Sequence, residues 1–411
     1  MSASQPQRVA TTRRPARARG RYARFALTAG ALLLALPARA DDTSAPQPAA
    51  PVLRLPCARA FHTLVVPVRI NDSQVLHCIL DTGMPEGVFI MDPAKLAGSG
   101  VEFAIAARLN GVGPGSAAGK IAYGTTVHLA DLEIPNQRVI VLDEPGPLAR
   151  IGFDGAIGAS VFQAYVVQMD CAQNTVTLYA PDSYAPPAAT TAVPLTLANT
   201  RPFVAATVRI GDGAPVPVEL MVDTGATKSL SLNPTEIVAA PRGAVETMLS
   251  SGVGGDNQGL LGRIRELQVG PFTLVDVLSE FPKAPDADRG GTIGMDLLQR
   301  FTVTLDYPHE RMLLAPTQRV SAPFRANMSG ISLWPNDAGE LYVRFVLADS
   351  PADQAGVRVG DVVRSINGKT WPATELSAVR EMFRQPGATV RMELERAGAT
   401  LEVHFELKPL V

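Results

Sequence analysis

The run Leu220-Met221-Val222-Asp223-Thr224-Gly225 decides how this chain folds, because a similar run, Cys78-Ile79-Leu80-Asp81-Thr82-Gly83, precedes it. In each run a short apolar strand ends at an aspartate, and Thr-Gly forms the turn that follows. This arrangement presents the carboxylate at the end of a strand. Two such carboxylates from similar units indicate a paired-aspartate site, and paired aspartates can activate water without a metal.

Further matches follow each aspartate in the same order. Gly111-Val112-Gly113 begins 30 residues after the first aspartate, and Gly252-Val253-Gly254 begins 29 residues after the second. Residues 154–158 close the first unit with an Ile-Gly turn, and residues 290–294 close the second in the same way. Because these matches keep one order at nearly constant offsets, we predict two homologous lobes within one chain.

The pattern within both units favours strands over helices. Short runs of Val, Ile, Leu and Thr alternate with turns of Gly, Pro, Asn and Asp, which is typical of an all-β barrel or sandwich. A dinucleotide-binding fold would need a glycine loop that opens a helix, and residues 111–115 do not open one. We therefore predict an all-β fold for the two lobes.

Residues 1–40 have the composition of an export signal. A basic region without acidic residues precedes an apolar stretch over residues 25–36, and Ala38-Arg39-Ala40 fits a small-x-small cleavage site. The apolar stretch is short for a bilayer span, which needs about 20 residues. We predict a cleaved signal peptide and no stable membrane anchor, with an uncleaved amphipathic anchor as the alternative. The expected location is periplasmic or secreted.

Charge and cysteine content limit the partners and cofactors. Without residues 1–40, the chain keeps 29 basic and 39 acidic residues, a formal charge of about −10. This charge argues against nucleic acid and anionic membranes as partners. Cys57, Cys78 and Cys171 permit one disulfide and leave one thiol, and the sequence does not select the pair. Neither these cysteines nor the five scattered histidines have metal-site spacing, so we predict no metal and no cofactor.

The ordered motifs, present twice, resemble the retropepsin-like and pepsin-like aspartic proteases over residues 51–316. In that family each lobe contributes one aspartate to a shared cleft. The resemblance therefore implies tandem acid-protease-like β-barrel lobes that form one cleft, in a monomer that acts as an internal pseudo-dimer. It also implies that Asp81 and Asp223 are the catalytic pair, with an extended peptide or protein as substrate.

The resemblance also implies roles for neighbouring residues. In the family, hydroxyl groups at the positions of Thr82 and Thr224 cross-link the two aspartate loops. Gly83 and Gly225 allow the tight turn and the close approach of backbone. Two glycine-rich segments match the flap tips that close over a bound peptide: Gly111, Val112 and Gly113 in the first lobe, and Gly252, Val253 and Gly254 in the second.

One departure from the family pattern keeps other hypotheses open. The second loop continues with Ala226-Thr227, as the family prefers, whereas the first continues with Met84-Pro85. Met84 is bulky where a small residue usually packs, and Pro85 has no N–H to donate. The alternative function is therefore a non-catalytic peptide-binding or scaffold protein that keeps the fold. A third hypothesis is that only Asp223 is competent and a second chain completes the site.

Three motifs follow one another in the C-terminal part of the chain, at residues 350–356, 359–363 and 366–368. Together they resemble a PDZ domain of the bacterial protease-associated kind. The resemblance implies a small α+β domain that holds a C-terminal peptide beside a sheet edge. Four residues match the position of the carboxylate-binding loop: Gly330, Ile331, Ser332 and Leu333. Ser332 and Leu333 depart from the commonest Gly-aromatic ending, so a module that only packs against the lobes or covers their cleft is the alternative.

The sequence divides into seven segments. We predict the following boundaries: signal peptide 1–40, flexible leader 41–50, first lobe 51–184, linker 185–193, second lobe 194–316, linker 317–323 and PDZ domain 324–411. In the last segment, apolar periodicity predicts a helix near residues 375–385, followed by two strands.

Overall fold

The computed structural model describes residues 50–411, apart from residues 86, 112, 114 and 285–289. The predicted signal peptide lies outside the described residues, and so does the predicted leader except for residue 50. Within the described part of the chain, no helix is long and apolar enough to cross a bilayer.

The first lobe is built from short strands. In chain order they are β1 (Leu53–Pro56), β2 (Ala58–Ala60), β3 (Thr63–Ile70), β4 (Leu76–Leu80), β5 (Val88–Ile90), β6 (Ile105–Asn110), β7 (Ser116–Leu129), β8 (Leu132–Leu142), β9 (Gly155–Ile157), β10 (Val166–Asp170) and β11 (Thr175–Tyr179). Helix α1 (Ala159–Ala164) follows β9, and 3-10 turns lie at Pro93–Leu96, Pro147–Arg150 and Pro181–Ser183. Strands β2 to β9 form one sheet in the order β2-β3-β4-β9-β5-β8-β7-β6, which closes on itself through β3 and β7.

The second lobe has the same layout. Its strands are β12 (Thr191–Pro194), β13 (Thr196–Ala198), β14 (Arg201–Arg209), β15 (Val216–Val222), β16 (Leu230–Leu232), β17 (Val245–Gly252), β18 (Gly255–Val269), β19 (Phe272–Pro282), β20 (Gly291–Ile293), β21 (Phe301–Asp306) and β22 (Arg311–Pro316). Helix α2 (Met295–Leu298) follows β20, and a 3-10 turn lies at Tyr307–His309. The sheet order is β13-β14-β15-β20-β16-β19-β18-β17, closed through β14 and β18.

A six-stranded sheet joins the two lobes, in the order β1-β11-β10-β21-β22-β12. Strand β10 of the first lobe pairs antiparallel with β21 of the second, with Gln168 opposite Thr304. Apolar residues on this sheet, among them Met169 and Leu305, are almost fully buried and belong to the same hydrophobic cluster as both barrels. Burial of this continuous apolar surface is what fixes the lobes against each other.

The C-terminal domain has its own sheet and core. Its strands are β23 (Ile331–Pro335), β24 (Leu341–Val346), β25 (Val362–Ile366), β26 (Thr389–Arg396) and β27 (Ala399–Glu406), paired in chain order. Its helices are α3 (Pro351–Gln354) and α4 (Leu376–Met382), with a 3-10 turn at Ala373–Glu375. The apolar face of α4, formed by Leu376 and Val379 with the following Phe383, is buried in this core.

The predicted all-β lobes and the small α+β C-terminal domain are confirmed. The predicted helix near residues 375–385 is confirmed as α4 and the 3-10 turn before it. Strand β12 begins at Thr191, within the segment predicted as a linker, because its residues pair with β22. Cys57, Cys78 and Cys171 are all buried, free thiols, so none of the possible disulfides is formed.

Candidate active site

Each aspartate follows a strand that is held at the centre of its barrel. Strand β4 pairs parallel with β9, and the Asp81 N–H donates to the Ile157 carbonyl at 2.9 Å. Strand β15 pairs parallel with β20, and the Asp223 N–H donates to the Ile293 carbonyl, also at 2.9 Å. Because both loops are tied to a neighbouring strand in the same way, each carboxylate has a fixed direction.

Backbone N–H groups of its own loop hold each carboxylate. Asp81 Oδ1 accepts hydrogen bonds from the N–H groups of Gly83 at 2.8 Å and Met84 at 3.2 Å. Asp223 Oδ1 accepts them from Gly225 at 2.9 Å and Ala226 at 3.0 Å. One oxygen of each carboxylate is thereby used by its loop.

Two buried threonines cross-link the loops. Thr82 Oγ1 donates to the Val222 carbonyl at 2.6 Å and accepts from the Thr224 N–H at 3.0 Å. Thr224 Oγ1 donates to the Leu80 carbonyl at 2.7 Å and accepts from the Thr82 N–H at 3.1 Å. The two residues that the sequence predicts as cross-links are thus brought together, and their four bonds lock one loop to the other.

The loop glycines let the two carboxylates approach each other's loops. A Cβ atom on Gly225 would lie 2.4 Å from Asp81 Cγ, and one on Gly83 would lie 2.8 Å from Asp223 Oδ2. Real Cβ atoms do not approach other atoms so closely, so only glycine fits at either position. The structure therefore brings Asp81 and Asp223 to one place, each lying against the loop that carries the other.

The electrostatics of the pair favour a shared proton. Burial, and then the neighbouring Asp223 charge, raise the pKa of Asp81 to about 8. Burial also raises the pKa of Asp223, but the nearby Lys228 cation acts in the opposite direction. Two adjacent, partly buried carboxylates do not both ionise readily, so the pair titrates as a unit that keeps one proton across the neutral range.

A charged pair that the sequence did not predict lies on the second-lobe side of the cleft. Lys228 Nζ is 3.3 Å from Glu280 Oε2, and both side chains are mostly buried. Burial raises the pKa of Glu280, although Lys228 opposes this change. Sequence offers only a weak signal for the pair, since Lys228 follows the second aspartate but Glu280 lies in a distant strand.

The two predicted flaps meet above the aspartates. The β6–β7 turn carries Gly111 and Gly113, and the β17–β18 turn carries Val253 and Gly254; Val112 lies outside the described residues. The Gly115 N–H donates to the Gly254 carbonyl at 2.7 Å, which joins the tips. A Cβ on Gly113 would lie 2.5 Å from the Gly254 carbonyl carbon, so glycine is required for this contact.

A cavity of about 1420 Å³ extends from the aspartates beneath the flaps to the C-terminal domain. Its lining includes Asp81, Asp223, Gly252 and all four residues of the predicted carboxylate-binding loop, from Gly330 to Leu333. The walls are apolar in many places, with backbone groups and a few charged side chains between, which is the usual character of a ligand-binding cleft. The two aspartates and the predicted carboxylate-binding loop thus face one space.

A buried polar junction connects the three domains next to this cavity. Arg384 Nη1, at the end of α4, lies 3.0 Å from Asp296 Oδ1 in α2 and 2.6 Å from His62 Nε2 in the β2–β3 turn. Although burial alone would raise the pKa of Asp296, Arg384 and His62 hold it below its usual value. Burial, and then Arg384, lower the pKa of His62 to about 4. The five histidines are scattered in the sequence, and no local motif predicts this junction.

Among the described residues, no three His, Cys, Asp or Glu side chains come close enough together to hold a metal ion.

Two family models match parts of this chain, and two curated proteins are similar to a short part of it. Residues 206–297 match the aspartyl protease family, and residues 342–396 match the PDZ domain family. Over 77 residues, 19% of this chain, the sequence is 34% identical to the serine protease HTRA1 of Xenopus laevis, and 27% identical to that of Xenopus tropicalis. The chain spans 16% of each of these proteins.

One solved structure completes the comparison. The crystal structure of an aspartic proteinase from Irpex lacteus is similar to this chain with a TM-score of 0.45 and 15% identity. The similarity covers 66% of this chain and 98% of the other.

The fold and the two family matches define the class: an aspartyl-protease-like β fold joined to a PDZ domain. The predicted resemblance to the aspartic proteases with a C-terminal PDZ domain is confirmed. The aspartyl protease match contains Asp223 and the β17–β18 flap.

Proposed function

We propose that this chain is an aspartic endopeptidase that hydrolyses extended peptide segments with the pair Asp81 and Asp223. The observation that carries the proposal is the mutual approach of the two carboxylates, each against the glycine of the opposite loop. Reciprocal threonine bonds hold this geometry before any substrate binds. Such preorganisation is what aspartate-pair catalysis requires.

The environment assigns a separate task to each aspartate. Lys228 favours the ionised form of Asp223, whereas Asp81 lies in more apolar surroundings and keeps the shared proton. Asp223 takes a proton from the attacking water, and Asp81 donates its proton to the scissile carbonyl oxygen as that carbon becomes tetrahedral. Collapse of the tetrahedral intermediate breaks the C–N bond, and the leaving nitrogen receives a proton from the pair. No covalent enzyme intermediate is required.

The flaps and the joining sheet support a single-chain mechanism. One flap from each lobe closes over the pair, so an extended peptide would lie between the flap backbone and the aspartates. We propose that the lobes arose by duplication and that the chain acts as a monomer, because both aspartates belong to one chain. The PDZ domain, which faces the same cavity, would bind peptide or regulate the cleft.

Cleavage of a diverse pool of unstructured peptides, followed from pH 4 to pH 9, tests the proposal. We expect the native chain to cleave, and both Asp81→Asn and Asp223→Asn to lose about a thousandfold in kcat/KM. Asp92→Asn, which changes a partly exposed helix-capping aspartate of the first lobe, is the matched control. Peptide binding without turnover at any pH, unchanged by either substitution, would instead establish a non-catalytic peptide-binding protein.

We also propose export, with cleavage after Ala40, based on residues 1–40 alone. The mature chain would then act in the periplasm or outside the cell. Mass spectrometry of the protein from intact cells tests this proposal. A start at Asp41 is expected, and a full-length chain retained at the membrane would contradict it.

A further inference from the structure

The peptide groove of the PDZ domain lies between strand β23 and helix α4. Strand β23 is the edge of its sheet: β24 pairs with one side, and no strand of the described residues pairs with the other. The predicted carboxylate-binding loop, with Gly330 at φ 81°, leads into this edge. A peptide would enter here as an added strand with side chains directed toward α4.

The chain's own β2–β3 turn lies in this groove. The Phe61 N–H donates to Ser377 Oγ on α4 at 2.8 Å. The Phe61 ring lies 4.8 Å from the Arg380 guanidinium and is only 6% exposed, as part of the PDZ core cluster. Next along the turn, His62 bonds Arg384 at the end of α4. The first lobe thus covers the α4 wall with consecutive residues.

A second contact of the PDZ domain is with the flap of the second lobe. Arg344 of β24 forms a 2.8 Å ion pair with Asp256 Oδ1, at the start of β18, and both side chains are about three-quarters buried. Asp256 also accepts a 2.5 Å hydrogen bond from Ser251 across the same flap. Two residues before Asp256, Gly254 accepts the bond from Gly115 that joins the flap tips. Arg344 therefore ties the second flap to the PDZ domain, in the position where the two flap tips are joined.

Stacked side chains connect the groove to the flap. The Arg380 guanidinium lies over the rings of Phe61 at 4.8 Å and Trp334 at 5.3 Å. The Arg344 guanidinium also lies 5.2 Å from the Trp334 ring. A change at Phe61 thus has a contiguous physical route, through Arg380, Trp334 and Arg344, to Asp256. This route couples the groove to the flap only if the flap has two states and occupancy of the groove changes the equilibrium between them.

We propose that the PDZ domain is a latch on the second flap, and that a peptide with a free C-terminal carboxylate opens it by displacing Phe61 from the groove. The inference rests on the proposed function, because the flap covers the proposed catalytic pair. The Phe61 ring and a ligand side chain compete for one space, so the native groove binds peptide with reduced apparent affinity. By linkage, peptide binding favours the state in which the turn has left and Arg344 no longer holds Asp256.

Hydrogen exchange of the flap amides, residues 250–257, tests the latch without any turnover. We expect Arg344→Gln to speed exchange there roughly fivefold at pH 7, as loss of a partly buried ion pair implies. The double charge reversal Arg344→Asp with Asp256→Arg should restore protection. Arg364→Gln is the matched control, because Arg364 forms ion pairs with Glu340 and Glu395 within the PDZ domain itself. Equal flap exchange in Arg344→Gln and native protein would overturn the proposal.

Competition for the groove is the second test. The probe is a fluorescent octapeptide ending in Leu-Val with a free carboxylate, and the same peptide as a C-terminal amide is its control. We expect Phe61→Ala to bind the free acid about tenfold more tightly than native protein does, and the amide to bind weakly to both. Ser377→Ala, which removes only the bond to the Phe61 N–H, should give a smaller gain in the same direction and guards against misfolding of Phe61→Ala.

A third measurement combines the two tests: hydrogen exchange of the flap amides is followed in the native chain with saturating free-acid peptide. Faster exchange at residues 250–257 supports the latch, and unchanged or slower exchange overturns it. Repeating the measurement in Asp223→Asn separates the outcomes. If this variant shows the same peptide effect while the native chain cleaves nothing, the latch stands and the proposed enzymatic function fails. If the native chain cleaves peptides but the flap does not respond, only the latch fails.

Discussion

Met84 in the first lobe and Ala226 in the second occupy equivalent positions, and each donates its N–H to Oδ1 of the aspartate in its loop. Their surroundings differ. Met84 packs against an apolar cluster that contains Val65 and Ile79, whereas the second loop continues to Lys228 and its partner Glu280. The backbone of the two loops thus sets nearly the same geometry, and the side chains around them set different electrostatics. A bulky residue at Met84 thus leaves the loop hydrogen bonds of Asp81 in place.

The threonine cross-link is where the two lobes are most alike, so its removal should have the largest effect. Thr82→Val and Thr224→Val each leave a buried carbonyl and a buried N–H without a partner, which should cost about 2–4 kcal/mol of unfolding free energy. Displacement of the carboxylates should lower kcat/KM about a hundredfold. Thermal unfolding and peptide cleavage measure both effects.

If the two threonine variants differed strongly in unfolding free energy or in kcat/KM, the two loops would not be equivalent. One of them would then be a supporting copy. Thr125→Val is the control: Thr125 is buried in the first lobe and donates one bond to the Gln137 carbonyl, away from the aspartates. It should lose less stability than either loop variant and no cleavage activity.

The proton held by the aspartate pair should set the alkaline limit of activity. The raised pKa of Asp81, about 8, means that the pair still holds its proton at neutral pH. We expect kcat/KM to stay high near pH 7 and then to fall about tenfold per unit above pH 8, as the proton is lost. The pH–rate profile of kcat/KM for the native chain measures this limit. A profile already falling between pH 5 and pH 6 would show that burial does not hold the proton on the pair.

The charged pair beside Asp223 should control the acidic limit instead. The double variant Lys228→Met with Glu280→Gln removes the cation without leaving a buried unpaired carboxylate. The pKa of Asp223 should then rise, since its ionised form loses a favourable charge. The acid limb therefore moves to higher pH, and cleavage near pH 5 falls roughly fivefold. Lys283→Met with Glu246→Gln, an exposed pair in the same lobe, should leave the profile unchanged. An acid limb that stays in place would show that Lys228 does not distinguish the two aspartates.

Replacing Met84 should have the smallest effect. Met84→Ala removes apolar contacts in a partly buried site, so we expect a loss of about 1–2 kcal/mol in unfolding free energy, with the pH–rate profile unchanged. Met84→Leu, which conserves volume, should retain most of this stability. If Met84→Ala raised kcat/KM by tenfold or more, the large side chain would be a restraint on the first lobe rather than packing.

Short-range patterns predicted much of this fold and site. An apolar strand that ends in Asp-Thr-Gly marks a loop whose geometry depends on adjacent residues, so the sequence could predict that Asp81 and Asp223, with their threonines and glycines, lie close together. Lys228 and Glu280 meet only because β16 and β19 are neighbours in the barrel. Arg384 and His62 are 322 positions apart, and neither belongs to a local motif. Contacts between domains depend on how complete surfaces fit, which a periodic pattern does not encode.

The pairing of β10 with β21 predicts how the first lobe would behave if it were expressed without the second. Gln168 and Thr304 are equivalent residues of the two lobes, and they face each other at the centre of the antiparallel register. The β10–β21 pairing is therefore nearly self-complementary. A first lobe expressed alone would leave the edge of β10 without a partner strand. A second copy of the same lobe could pair with that edge in the same register. Such a fragment would associate into a twofold dimer with two copies of Asp81 at its centre. The geometry of the joining sheet thus allows a half-length gene to encode a complete cleft.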